Sequence, residues 1–218
     1  MLQAEQYLLP WVATKKLMAD ALLCTIALAL FAFFINYSFP LKVVALIAII
    51  SAAFLVSRNL KKLAAPSFKY FFSWQLIVYC VIGLQMGLAG AMYYRGSFGM
   101  PVLPATIKKF AFVAVCIGIT EELVFRGFIQ GMVSKVHPGF AIVFAAFAHA
   151  TYKAGLFISP AANYHYSITL FYTWSWGAFI LMGTLRYYSK SIMPAIIVHA
   201  LFDLLVYAEN INAPWWVW

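Results

Sequence analysis

The chain has few charged residues. Of its 218 residues only 10% are charged, whereas 65% are hydrophobic. Soluble domains carry about 25% charged and about 45–50% apolar residues, so these few charges could not cover the surface of a soluble globule of this size. The composition excludes a cytosolic enzyme, a disordered tail and a nucleic-acid-binding domain, even though the net charge is +9.

Cysteine and several well-known catalytic patterns are also scarce or missing. Cys24, Cys80 and Cys116 all lie inside apolar runs, which favours packing residues over disulfide partners or metal ligands. The sequence contains no HExxH, no GxSxG and no Walker A pattern. The first absence excludes a zincin helix, and the second, with no serine–histidine pair at depth, leaves a rhomboid-like serine site unsupported.

Long apolar runs are what the sequence does contain. Seven segments approach the length of about 20 residues that a membrane helix needs: 17–36, 41–57, 70–93, 108–134, 139–158, 167–188 and 190–208. They are apolar on all sides and closely spaced, which favours helices over strands. We predict an all-α, polytopic transmembrane bundle of about seven or eight membrane helices, forming a single integral membrane domain over residues 1–218.

The basic residues between the segments predict an orientation. With the N-terminus inside, ten of them fall on the inner side and five on the outer side, as the positive-inside rule favours. The inner residues are Lys15, Lys16, Arg58, Lys61, Lys62, Lys69, Arg126, Lys135, Arg186 and Lys190, and the outer ones are Lys42, Arg95, Lys108, Lys109 and Lys153.

Five ionisable residues lie inside the predicted membrane helices, away from their ends: Glu121, Glu122, His149, His199 and Asp203. A helical rise of 1.5 Å per residue puts Glu121, His149 and His199 roughly 14–20 Å from the inner ends of their helices, near the middle of the bilayer. A charge at that depth costs at least about 2.5–3.5 kcal/mol, and such residues are functional by default. We therefore predict that they converge on one polar cavity.

The spacing on the fourth segment suggests two different roles for its two glutamates. Glu122 and Arg126 are four residues apart, so they share a helix face and can form an ion pair. Glu121 points about 100° away and has no cation on its own helix, which leaves it available as a general base. The alternative is that both glutamates are structural partners of Arg126.

The histidines can supply the other groups of a hydrolytic site. His149, at the depth of Glu121, could share a water molecule with that carboxylate or protonate a leaving amine. His199 and Asp203 are four residues apart on the last segment, a spacing that can fix a histidine tautomer and direct a donor at an oxyanion. A helix–helix hydrogen bond with no catalytic role is the alternative for this pair.

The motifs resemble the CPBP superfamily, which comprises type II CAAX-prenyl endopeptidases and bacteriocin-processing or immunity membrane proteins (the ABI family). The resemblance rests on three motifs on separate hydrophobic segments, covering about residues 113–206: Glu121-Glu122-x-x-x-Arg126, then His149, then His199-x-x-x-Asp203. Two positions depart from the usual pattern. Ala145 stands where an aromatic residue is usual, and Asp203 stands where asparagine is common.

The resemblance implies a glutamic-type intramembrane protease in the plasma membrane of a bacterium. Its catalytic core would span about 108–208, after accessory helices over 17–93. Glu121 with His149 would activate water, His199 and Asp203 would support the oxyanion, and Glu122 with Arg126 would hold the site together. The partners would be a membrane protein or peptide substrate and the lipid bilayer. No cofactor is expected, although the same donor set also suits zinc.

Two functions other than proteolysis stay open. The chain could be a non-catalytic immunity or scaffold protein that keeps the family fold. It could also be a small proton-coupled transporter that uses Glu121, Glu122 and the histidines as carriers.

Overall fold

A computed structural model of the chain describes residues 11–67, 73–160 and 167–209. Over these ranges the structure consists of helices and connecting turns, without strands. The helices are α1 (Trp11–Phe34), α2 (Lys42–Ser67), α3 (Trp74–Ser97), α4 (Lys109–Glu122), a π-helix (Leu123–Ile129), α5 (Gln130–Val133), α6 (Pro138–Ile158), α7 (Ile168–Ser189) and α8 (Met193–Val206). The predicted all-α class is confirmed.

Five of these helices are long and apolar enough to cross a membrane: Lys15–Phe34, Lys42–Asn59, Trp74–Ser97, Pro138–Ile158 and Ile168–Ser189. Helix α8 is apolar but shorter. Large hydrophobic side chains on the outside, such as Ile47 and Ile50 of α2, are exposed and suit contact with lipid. The chain is therefore an integral membrane protein, while the number of seven or eight crossings stays a prediction.

Two helices begin where the sequence provides a cap. The Ser73 hydroxyl accepts a hydrogen bond from the Leu76 N–H (3.1 Å) at the start of α3. The His137 ring accepts one from the Phe140 N–H (3.1 Å) at the start of α6. Pro138 then occupies the first turn of α6, where its missing N–H is not needed.

The fourth predicted segment is interrupted by a turn type that the periodicity did not predict. Helix α4 runs directly into the π-helix Leu123–Ile129 and then into α5. The π-helix is wider than an α-helix and occurs most often near functional sites. Here it carries Phe125 and Arg126, both buried in the bundle.

The helices pack around two apolar clusters. The larger joins α1, α2, the π-helix, α5 and α6, and the smaller joins α6, α7 and α8. Alanine is frequent in both clusters, which lets neighbouring helices approach closely.

Glycines bring α3 close to α8. A Cβ added at Gly83 would lie 2.7 Å from the Pro194 carbonyl oxygen, and one at Gly87 would lie 2.7 Å from the Val198 carbonyl oxygen. No side chain fits at either position. The close contact fixes α8, the helix that carries His199 and Asp203.

Several basic residues used to predict the orientation lie inside the bundle. Arg126 is fully buried, the side chain of Lys153 is 14% exposed and forms an ion pair, and Arg95 is buried at the end of α3. Each of these three residues, which were counted for the orientation, has partners within the protein, and the orientation stays a prediction. Lys69 lies outside the described residues.

Candidate active site

The structure brings the six predicted site residues together in the interior. Glu121 and Glu122 end α4, Arg126 follows in the π-helix, His149 lies in the middle of α6, and His199 and Asp203 lie on α8. All six are buried. The three helices bring these residues into one buried polar cluster, while the polar cavity and the roles of the residues stay predictions.

Both carboxylate oxygens of Glu121 have partners on α6. Oε2 lies 3.0 Å from His149 Nε2, and Oε1 accepts a hydrogen bond of 2.8 Å from Lys153 Nζ. His199 Nε2 is 3.6 Å from the same Oε2. Glu121 is thus turned into the cluster and lies within reach of both histidines.

Glu122 links two of the helices. Its Oε1 lies 2.8 Å from His199 Nδ1, and its Oε2 lies 3.3 Å from Arg126 Nε. The predicted ion pair between Glu122 and Arg126 is therefore present, although these two atoms do not meet hydrogen-bond geometry. A carboxylate only accepts hydrogen bonds, so the Nδ1 atom of His199 carries a proton.

The contacts of Arg126 fix the tautomer of His149. Arg126 Nη1 contacts His149 Nδ1, and Arg126 Nη2 donates to the Phe179 carbonyl oxygen at 3.1 Å. A guanidinium only donates, so His149 Nδ1 must be the acceptor. The proton of the neutral ring then sits on Nε2, which donates to Glu121.

Two phenylalanines hold the imidazole of His149 in place. The rings of Phe125 and Phe179 stack on its opposite faces, with centroid distances of 4.1 and 3.7 Å and interplanar angles of 8° and 4°. The Arg126 guanidinium also lies over the Phe179 ring, 4.9 Å from its centroid. These contacts keep the ring in the plane in which it reaches both Arg126 and Glu121.

The predicted pairing of His199 with Asp203 is present only as a longer contact. Asp203 Oδ2 lies 3.6 Å from His199 Nε2, beyond direct hydrogen-bond distance. The hydrogen-bond partner of His199 is Glu122, because α4 and α8 pack side by side and bring the two residues together. Spacing along α8 alone could not reveal this contact.

Gly118 makes room for both residues on α8. A Cβ at this position would lie 2.6 Å from Asp203 Oδ2 and 3.1 Å from His199 Cδ2. Sequence reasoning did not identify Gly118, because only its position one turn before Glu122 connects it with the site.

Sequence reasoning also missed Lys153, Phe125 and Phe179. Lys153 follows His149 by four residues and so shares its helix face; that spacing was the available signal. Phe125 and Phe179 carried no signal among the 20 phenylalanines of the chain.

One group of residues meets the distance requirement for a metal site. The donor atoms of Glu121, His149 and His199 lie within 4.8 Å of one another. The hydrogen bonds, however, do not suit a metal. His149 Nε2 carries a proton when Nδ1 accepts from Arg126, and a metal ligand needs a free lone pair on its nitrogen. The Lys153 ammonium at Glu121 is also a poor neighbour for a divalent cation.

Buried carboxylates and imidazoles on separate membrane helices define the class, a polytopic membrane protein with an acid–histidine centre inside the bundle. The sequence model of the type II CAAX prenyl endopeptidase Rce1-like family matches residues 103–205, which include every site residue described above. Residues 103–205 are thus similar to the Rce1-like family of CAAX-type proteases, which confirms the resemblance predicted from the motifs. Comparisons with curated proteins and with solved structures gave no match.

Proposed function

We propose that the protein is a glutamic-type intramembrane endopeptidase, in which Glu121 activates water to hydrolyse a peptide bond of a membrane-associated protein or peptide. One observation carries the proposal. Glu121 is held between His149 (3.0 Å) and His199 (3.6 Å) inside the region that is similar to a CAAX-type protease family. A positioned carboxylate of this kind is suited to general-base catalysis.

The position of the reacting water follows from the longer contacts. His199 Nε2 lies 3.6 Å from both Glu121 Oε2 and Asp203 Oδ2. Polar groups separated by more than about 3.5 Å are often bridged by water. We place the nucleophilic water beside Glu121 Oε2, on the side that faces His199.

The reaction then needs one group that accepts a proton from the water and one that donates a hydrogen bond to the oxyanion. Glu121 takes a proton from the water while the water oxygen forms a bond to the peptide carbonyl carbon. His199, as an imidazolium with a proton on each nitrogen, donates from Nε2 to the oxyanion, and Asp203 orients this donor. When the carbon–nitrogen bond breaks, the proton on Glu121 passes to the leaving amine and the carboxylate is restored.

The remaining site residues have a supporting role in this proposal. Glu122 holds the Nδ1 side of His199, and Arg126 holds both Glu122 and His149. The donor hydrogen on His149 Nε2 keeps Glu121 Oε2 in place. We propose that the reaction uses no metal, and the tautomer of His149 supports this.

We propose a plasma-membrane enzyme of a bacterium, with seven crossings. The continuous helical stretch over residues 109–133 and the short helix α8 would add two crossings to the five long helices. The catalytic core would be residues 108–208, with α1–α3 as accessory helices. The substrates would be C-terminal tails, sorting tags or peptide precursors that enter from the bilayer.

The test replaces the base with its closest neutral analogue. Glu121→Gln should lower cleavage by about 10²–10⁴-fold, the usual contribution of a general base, while the protein still inserts and folds. Mass spectrometry would compare membrane peptides from cells that make the wild type or the variant. A farnesylated peptide ending in a CAAX sequence would serve as the probe for the purified protein.

Two controls complete this experiment. Glu209→Gln makes the same chemical change outside the site and should leave the cleavage products unchanged. Cleavage that survives strong chelation would support the metal-free mechanism. A Glu121→Gln protein that cleaves at the wild-type rate would overturn the role of Glu121.

A further inference from the structure

We propose that Lys153 is a positioning residue, the counter-ion that keeps Glu121 a carboxylate and presents its Oε2 to His199. The importance of this ionised state for hydrolysis rests on the proposed function, but the ion pair itself can be tested without a substrate. No motif of the sequence includes Lys153.

The geometry of the pair supports this role. Lys153 Nζ donates to Glu121 Oε1 at 2.8 Å, while His149 contacts Oε2 at 3.0 Å. Both partners come from one face of α6, one turn apart. Together they fix the plane of the carboxylate, so that Oε2 is the oxygen that faces His199.

The other cation of the site is engaged elsewhere. The Arg126 guanidinium contacts His149 and donates to the Phe179 carbonyl oxygen, and its Nε lies 3.3 Å from Glu122. Each of its three nitrogens thus faces one of these partners rather than Glu121. Lys153 is therefore the cation that contacts Glu121 among the described residues.

The charges around Glu121 show why it needs a cation. The charged and titratable groups around Glu121 come from four elements. They are Glu122 from α4, Arg126 from the π-helix, His149, Tyr152 and Lys153 from α6, and His199 and Asp203 from α8. The site thus brings three carboxylates close to two permanent cations. Without Lys153, like-charge repulsion would favour a proton on one of the carboxylates.

The side chain of Lys153 lies closer to the protein surface than that of Arg126. It is 14% exposed, whereas Arg126 is fully buried. The Lys153 ammonium therefore lies at the outer boundary of the polar cluster. Its stem passes Tyr152, with Nζ 5.9 Å from the centroid of that ring.

Infrared spectroscopy of the purified protein in detergent can read the ionisation of Glu121 directly. The Glu121 band is identified in each background as the signal that disappears in Glu121→Gln. In Lys153→Met we expect the carbonyl band of a protonated Glu121 at pH 7, because the close opposite charge that favours the carboxylate is lost. Lys153→Arg should keep the wild-type spectrum.

Matched variants separate charge from folding. Lys135→Met removes an exposed lysine outside the site and should leave the Glu121 band unchanged. If Lys153→Met does not fold, Lys153→Gln, which keeps a hydrogen-bond donor, is measured instead and should show the protonated band. The wild-type protein is a further test, because its Glu121 must be ionised at pH 7.

The outcomes distinguish this inference from the proposed function. A protonated Glu121 in the wild type at pH 7, or an unchanged Glu121 carboxylate band in a folded Lys153→Met or Lys153→Gln protein, would overturn the role of Lys153. A protonated band in Lys153→Met together with a Glu121→Gln protein that still cleaves would keep the ion pair and overturn the proteolytic mechanism.

Discussion

Two buried polar clusters of the bundle differ in how completely their groups are paired. Between α1 and α2, Asp20 accepts from Arg58 at 2.5 Å and from Asn59 at 3.2 Å. The site between α4, α6 and α8 instead contains contacts of 3.3 and 3.6 Å and buried atoms without a hydrogen-bond partner, namely Glu122 Oε2 and Arg126 Nε.

The difference shows how a structural pair can be told from a reactive site. In the α1–α2 cluster one acid meets one base, and the Arg58 side chain is 42% exposed. In the site three carboxylates share two permanent cations inside the protein, and the 3.6 Å contacts of His199 Nε2 are too long for direct hydrogen bonds but suitable for water. Incomplete pairing is costly in a buried place, so its persistence points to chemistry.

The largest stability effect should come from removing the buried arginine of the site. Arg126→Ala leaves Glu122 buried without its cation and removes the donor to His149 Nδ1. Breaking a buried pair in this way costs about 3–5 kcal/mol. Thermal unfolding in detergent and the amount of protein in membranes would measure it. A normal amount of stable variant would contradict the buried pair.

The next largest effect should come from filling the space at Gly118. Gly118→Ala puts a methyl group against Asp203 and His199, and a misplacement of about 1 Å can cost about 10²-fold in rate. Cleavage of the farnesylated peptide would be compared with Gly177→Ala on α7, where a Cβ meets nothing within 4 Å. Equal rates for the two variants would show that Gly118 does not position α8.

Arg58→Ala should have a small effect, although it also removes an arginine from an ion pair. Arg58 is 42% exposed, so solvent screening limits its contribution to about 0–1 kcal/mol, and Asn59 still binds Asp20. We expect unchanged cleavage and a slightly lower unfolding temperature. A loss of stability as large as that of Arg126→Ala would show that the two clusters do not differ in how much their arginines contribute.

The smallest effect on stability should come from the ion pair between Arg95, near the end of α3, and Glu209, just after α8. The hydrogen bond from Arg95 (2.8 Å) lowers the pKa of Glu209 below its ordinary value of 4.5. A lowered pKa in the folded state stabilises the protein above pH 4.5, and this contribution is lost as the pH falls below that value. Glu209→Gln should therefore unfold at a lower temperature than the wild type at neutral pH, with the difference narrowing in acid. A difference independent of pH would contradict this.

Much of the fold could be predicted because membrane helices are long and uniformly apolar. The predicted segment 139–158 corresponds to Pro138–Ile158, and 167–188 to Ile168–Ser189. The π-helix Leu123–Ile129 could not be predicted, since an apolar run with no hydrogen-bond information does not distinguish one helical turn type from another.

The sequence could predict which residues form the site, but it could not predict which of them contact each other across helices. Rare ionisable residues at one depth identified Glu121, Glu122, His149, His199 and Asp203, and helical spacing identified the ion pair with Arg126. The bonds of His199 to Glu122 and of Lys153 to Glu121 join different helices, and they depend on how those helices rotate against each other. Spacing within one helix contains no such information.

The aromatic rings stacked on both faces of His149 give this site a natural spectroscopic reporter. Their centroids lie 4.1 and 3.7 Å away, so the imidazole protons sit in the shielding cones of two ring currents. Their magnetic resonances should move upfield of those of the other three histidines. One resolved signal in a lipid nanodisc would then follow the arrival of a substrate without any chemical label.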